Sequence, residues 1–214
     1  MATDHHTMGW GVLAAAFMLA LPLGVRAQEA ISADSILAFV TQGAGSHEMG
    51  AGGLVQRLFL RPEEYAPGVR DEVADGLEEL LYSEVGTPEF RQSVAVAFTW
   101  AGSKPSSDPL PGIVGRLAAL YDHTDDQVLK LLIVGMLSES AEEVAAAEFL
   151  GRVAIGSGEP AAEAVFTLQR LGAAGRAVLE QLHAQSAVKE PLARQILEAS
   201  AARGFRPLRE SGNP

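Results

Sequence analysis

The feature that constrains this chain most is the spacing of its apolar residues. From Ser32 onward they recur at helical intervals, and no stretch shows the two-residue alternation with β-branched and aromatic residues that a strand requires. The pattern breaks into ten short segments: Ile31 to Val40, Leu54 to Leu60, a helix opened by Pro67, Thr87 to Gly102, Pro109 to Tyr121, Asp126 to Leu137, Ala141 to Ile155, Pro160 to Leu171, Arg176 to His183, and Pro191 to Ala202. Short polar breakers such as Ser103–Asp108 and Ser157-Gly158-Glu159 separate them, and residues 43–53, with five glycines, read as a loop.

A bundle and a stack of helix pairs both satisfy such a list, so self-similarity has to choose between them. Four segments open alike, with a polar cap, an acid or proline, then apolar and small residues at helical spacing: Thr87 to Gly102, Thr124 to Glu139, Ser157 to Gly172 and Val188 to Arg203. Aligned on Phe90, Val128, Ala161 and Leu192, they repeat at 38, 33 and 31 residues. That interval holds two helices of about 12 residues with their turns. Thr87 to Gly102 resembles the second helix of a HEAT repeat, in Pro88, Phe90-Arg91, Ala95, Ala97 and Gly102, with Thr87 and Phe98 replacing the family's Asp and Leu. Later copies keep less: Asp125 and Val128, with Leu129 for the Arg; Pro160, Ala164, Leu171 and Gly172; and Pro191, Leu192 and Ala199, with Ala193 for the Arg. The resemblance covers residues 66–204. It implies an all-α, right-handed α-α superhelix of the HEAT or armadillo-like kind with four to five helix pairs, and residues 28–65 as N-terminal capping helices with a Gly-rich loop; residues 205–214, polar and Pro-bearing, read as a flexible tail. Ala95, Ala97, Gly135, Ala164 and Ala199 then read as close-packing positions.

Composition narrows function by exclusion. The chain has 214 residues, no Cys and a formal charge of -11. Without Cys there is no thiol nucleophile, thiolate metal site or lipoprotein acylation. The acidic balance opposes nucleic-acid binding and a polybasic hold on anionic lipid. At the N-terminus, Gly9 to Val25 is an apolar run of about 17 residues, near the lower limit for crossing a bilayer. Pro22 and the small residues of Val25-Arg26-Ala27 suit a signal peptide of residues 1–27, although no Lys or Arg precedes the run. The expectation is a periplasmic or secreted protein. Retention of residues 9–25 as a membrane anchor is the alternative. The lone Asn213 precedes Pro214, so there is no glycosylation sequon, which suits a bacterial source.

Candidate chemistry is sparse. Tyr121-Asp122-His123-Thr124-Asp125-Asp126 could gather a divalent cation, but it falls where a capped turn is needed and lacks the EF-hand ligand pattern. His47-Glu48 could form an acid–base pair, yet nothing beside it completes a phosphate loop or a nucleophile elbow, and it reads as a hinge. His5-His6 lies inside the leader. Asp71, Asp75, Glu78 and Glu79 share one helix face, either plainly solvated or an acidic docking strip. Trp100, Tyr121 and Phe166 read as packing residues. On the second helices Arg91, Lys130, Glu163 and Arg194 stand at or near equivalent places; the resemblance puts those helices on the concave face, where these residues either meet a partner or tie neighbouring repeats together. The reading is a non-enzymatic scaffold or adaptor with no cofactor and no metal, whose partner is another protein or peptide. A membrane-anchored assembly factor or a lyase-type HEAT-like enzyme is the alternative.

Overall fold

A computed structural model describes residues 31–42, 50–83 and 87–205, and every named element among them is helical. The α-helices are α1 (Ala33–Gln42), α2 (Gly50–Leu60), α3 (Val69–Tyr82), α4 (Pro88–Ala101), α5 (Ile113–His123), α6 (Gln127–Met136), α7 (Glu143–Ala154), α8 (Glu159–Arg170), α9 (Gly172–Ala184) and α10 (Pro191–Ala202). Short 3-10 turns follow α2 and α6. Residues 1–30, with the expected leader and His5-His6, and residues 43–49, with His47-Glu48, lie outside the described residues.

Two boundaries differ from the sequence expectation. Gly50, Gly52 and Gly53 belong to α2 rather than to a loop. Val55, Leu58 and Phe59 are fully buried, and α2 packs on α1 and α4, so tertiary burial overrides glycine's weak helix propensity. α9 starts at Gly172, not Arg176, because Gly172 adopts φ 72 and turns the chain straight out of α8.

Helices pack in sequential pairs: α1 with α2, α3 with α4, α5 with α6, α7 with α8, and α9 with α10. Each even helix also packs on the next even one, from α2 through α10, and α1–α3, α5–α7 and α7–α9 pack likewise. One contiguous apolar core runs from Ala33 to Leu197. Along α4 and α6, the Gln92 amide reaches the Asp126 carboxylate (3.4 Å) near the N-termini, and Thr99 meets Met136 (3.4 Å) near the C-termini, so the two run parallel.

The caps fix the register of the repeat. The Phe90 amide donates to Thr87 (3.2 Å), the Val128 and Leu129 amides to Asp126 (2.9 and 3.1 Å), and the Ala193 amide to Glu190 (2.6 Å). Gly158 precedes α8 without a side-chain cap. Counting from these caps, the buried third residues are Phe90, Leu129, Ala161 and Ala193, spaced by 39, 32 and 32 residues. The alignment on Val128 and Leu192 is therefore one residue early: they are 51% and 52% exposed, whereas Leu129 and Ala193 are 1% and 0% exposed. The seventh residues, Val94, Ile133, Val165 and Leu197, are also buried, one turn further on the same stripe.

The breaker at Ser103–Asp108 is a joint rather than a simple spacer. Ser106 Oγ donates to the Phe59 carbonyl (2.6 Å) and the Ser107 amide to the Leu60 carbonyl (3.3 Å), both at the end of α2. The Leu110 amide takes the Ala101 carbonyl of α4 (2.7 Å), and the Lys104 amide the Glu139 carbonyl beyond α6 (2.7 Å). Carbonyls at the ends of three successive even helices, which have no partner within a helix, are satisfied here. Ser103 and Ser106 are buried in consequence.

At the C-terminal end, Phe205 does not begin a loose tail. Its amide donates to the Ser200 carbonyl (2.9 Å), and its ring stands edge-on to His183 at 5.9 Å between centroids. It rests on the core as the apolar residue that commonly closes a helix C-terminus. Residues 206–214 lie outside the described residues.

Candidate functional site

The corrected register changes what the even helices present. Immediately after the buried third residue stand Arg91 on α4, Lys130 on α6, Ala162 on α8 and Arg194 on α10. A cation thus recurs in three of four copies, at a place where the sequence alignment had put Leu129 and Ala193. Glu163 follows Ala162, one position later than the cations, and its carboxylate lies over Gly135 of α6. Lys130 sits over the Tyr121 ring, 5.1 Å from its centroid. Arg91 is half-buried, and its Nε is enclosed without a hydrogen-bond partner. Arg194 is exposed. None of these four makes an ion pair among the described residues.

Other basic residues link successive helix pairs, three of them arginines on odd helices, with Arg170 of α8 on Glu139 (3.8 Å) and Lys104 on Glu143 (2.7 Å) besides. Arg70 of α3 bonds the Asp108 carboxylate (2.6 Å) and Asp71 (2.9 Å). Arg116 of α5 reaches back to Asp75 (2.8 Å) and Glu78 (2.6 Å) on α3 and lies over the Phe98 ring at 5.1 Å. Arg152 of α7 bonds Asp122 of α5 (2.9 Å) and covers Phe149. Burial opposes the charge on Arg116, but the hydrogen bonds it donates to Glu78 and Asp75 outweigh that and raise its pKa above the ordinary value. The acidic strip on α3 is accordingly part of the frame: Asp71, Asp75 and Glu78 are held by arginines, and Glu79 stays exposed. Replacing Arg116 with Met, which keeps much of the packing over Phe98, should cost about 1 kcal/mol, because the ion pair is only partly shielded from water. A chemical melt of the two proteins checks this; an equal midpoint would remove Arg116 from the frame.

The Tyr121–Asp126 group is likewise occupied by structure. Asp126 caps α6, Asp122 holds Arg152, and His123 stands edge-on to Tyr82 at 5.5 Å. Among the described residues no group of three His, Asp or Glu could hold a metal ion. Trp100 and Tyr121 pack against the core, but Phe166 of α8 is exposed, contrary to its reading as a packing residue. Ala95, Ala97 and Ala164 are buried packing positions, whereas Ala199 faces solvent.

No protein-family model matches the chain, and comparison with curated proteins and with solved structures returns no match. No described helix is long and apolar enough to cross a membrane.

Proposed function

We propose that this chain is an exported, non-enzymatic α-solenoid of HEAT-like helix pairs that holds a protein or peptide along its even helices. Support for the solenoid is the pattern of neighbours, in which each helix pair meets the next through matching elements. The observation that carries the binding reading is a row of cations in register near the starts of the even helices. Arg70, Arg116 and Arg152 on odd helices are consumed in ion pairs. Arg91, Lys130 and Arg194, in register on even helices, have no carboxylate partner among the described residues, unlike Arg170 at the end of α8, which pairs with Glu139 (3.8 Å); the apolar Phe166 is exposed on α8. Unpaired charge beside exposed aromatic surface is what an interface rim and anchor provide. The apolar run from Gly9 to Val25 is the ground for export to the periplasm or beyond, and for membrane anchoring if that run is retained.

The test is capture from the native envelope fraction with the full chain and with an Arg91→Glu/Arg194→Glu variant. The expected result is a protein partner retained by the wild type and weakened at least about tenfold by the double reversal. Equal capture by both chains would assign binding to another face. The mass of the chain recovered from that fraction distinguishes a cleaved leader from a retained anchor.

A further inference from the structure

We infer that α10 is a latch, an element that undocks from α8 and α9 as a unit while the earlier helices stay folded. The ground is an unusual polar seam. Gln169 on α8 is 6% exposed and Ser200 on α10 is 1% exposed, yet Gln169 Nε2 and Ser200 Oγ have no hydrogen-bond partner among the described residues. Buried polar groups are rarely left this way, since each forfeits its bond to water on docking and regains it on release. The Gln169 carbonyl end accepts only a long bond from Arg203 (3.4 Å).

Apolar anchorage within α10 itself is sparse, the rest coming from Val188 before it and Phe205 after it. Ser200 is the tenth residue after its cap, where α4, α6 and α8 carry Ala97, Met136 and Leu168. Leu197 and Ala193 are the buried apolar residues of α10, with Ile196 half-buried, while α8 buries Ala161, Ala162, Ala164, Val165 and Leu168. The connection from α9 passes through Ser186 at φ 48, a left-handed conformation that a side-chain-bearing residue adopts at a cost and leaves when the link is free to turn. Undocking would carry Arg194 away from the even layer and open the flank of α8, so the latch sets the length of the presented surface.

Native-state hydrogen exchange on the full chain tests this. Amides of residues 192–202 should exchange through a local opening about a hundredfold faster than those of α8. Ser200→Ala and Gln169→Leu should each slow α10 by roughly tenfold, leaving α4 to α8 unchanged, because each removes an unpaired buried group. Exchange of α10 at the rate of α8 would overturn the latch. So would a substitution that leaves α10 as fast as before or faster, since that would mean the removed group is bonded in solution. Should either variant fold poorly, the wild-type comparison of α10 with α8 decides alone.

Discussion

Gly175→Ala should lower stability by about 3 kcal/mol, the upper part of the range for forced overpacking. Gly175 is buried in α9, and a Cβ there would press into the Leu168 carbonyl oxygen and its carbon. Those are backbone atoms of the last turn of α8, so no side chain can rotate aside. Leu171 and Gly172 allow no slack between the helices, and α9 would have to lift from α8 and α7, both of which it packs against. For a domain of this size the loss corresponds to a melting temperature lower by roughly 6–12 °C. The same exchange at Gly115 is the control, because a Cβ there meets nothing within 4 Å. Alanine should stabilise that helical site by up to about 1 kcal/mol. Equal effects at both sites would show that helix propensity, not close approach, governs Gly175.

The second large effect distinguishes adjacent residues. Leu129→Asp should cost about 4 kcal/mol or more, because it buries a charge in the core that α6 shares with its neighbours. Val128→Asp, one position earlier, should change stability by no more than about 0.5 kcal/mol. Val128 is half exposed and lies in the first turn of α6, where a carboxylate faces the positive end of the helix. Urea unfolding of the two variants settles the register of the whole repeat. The reverse order would restore the alignment on Val128 and Leu192 and move the recurring cation off Lys130 and Arg194.

Much of the architecture was legible before any coordinate was known. Pro88 after Thr87 marked a helix start, and the cap, the proline and the bond from Phe90 are all present. The apolar stripe that the spacing of α3 predicts, Val69, Val73, Leu77, Leu80 and Leu81, is buried except at Leu80, which is half-buried against the core. The candidate site was legible only in part. Arg91, Lys130, Glu163 and Arg194 could be named as near-equivalent, but not that they lack ion partners among the described residues while Arg70, Arg116 and Arg152 have them. Those pairings join residues some 30 to 41 positions apart, and no local pattern encodes them. Ser106 looked like loop filler, because its partner is the carbonyl of a distant helix end, whereas the Ser103 hydroxyl closes back on Trp100.

Local periodicity and capping chemistry determined that the chain is helical, where most helices begin, and that the starts recur. They could not fix the phase of α6 and α10. Thr124, Asp125 and Asp126 can each cap a helix, and Val128 and Leu129 are both apolar, so two registers have equal local merit. The same holds where Leu192 precedes Ala193. Only packing chose between them: one register puts Leu129 and Ala193 against the neighbouring helices with Asp126 and Glu190 as caps, and the exposed residue beside each becomes the first turn. Burial is a property of neighbours, and the neighbours are set by the fold.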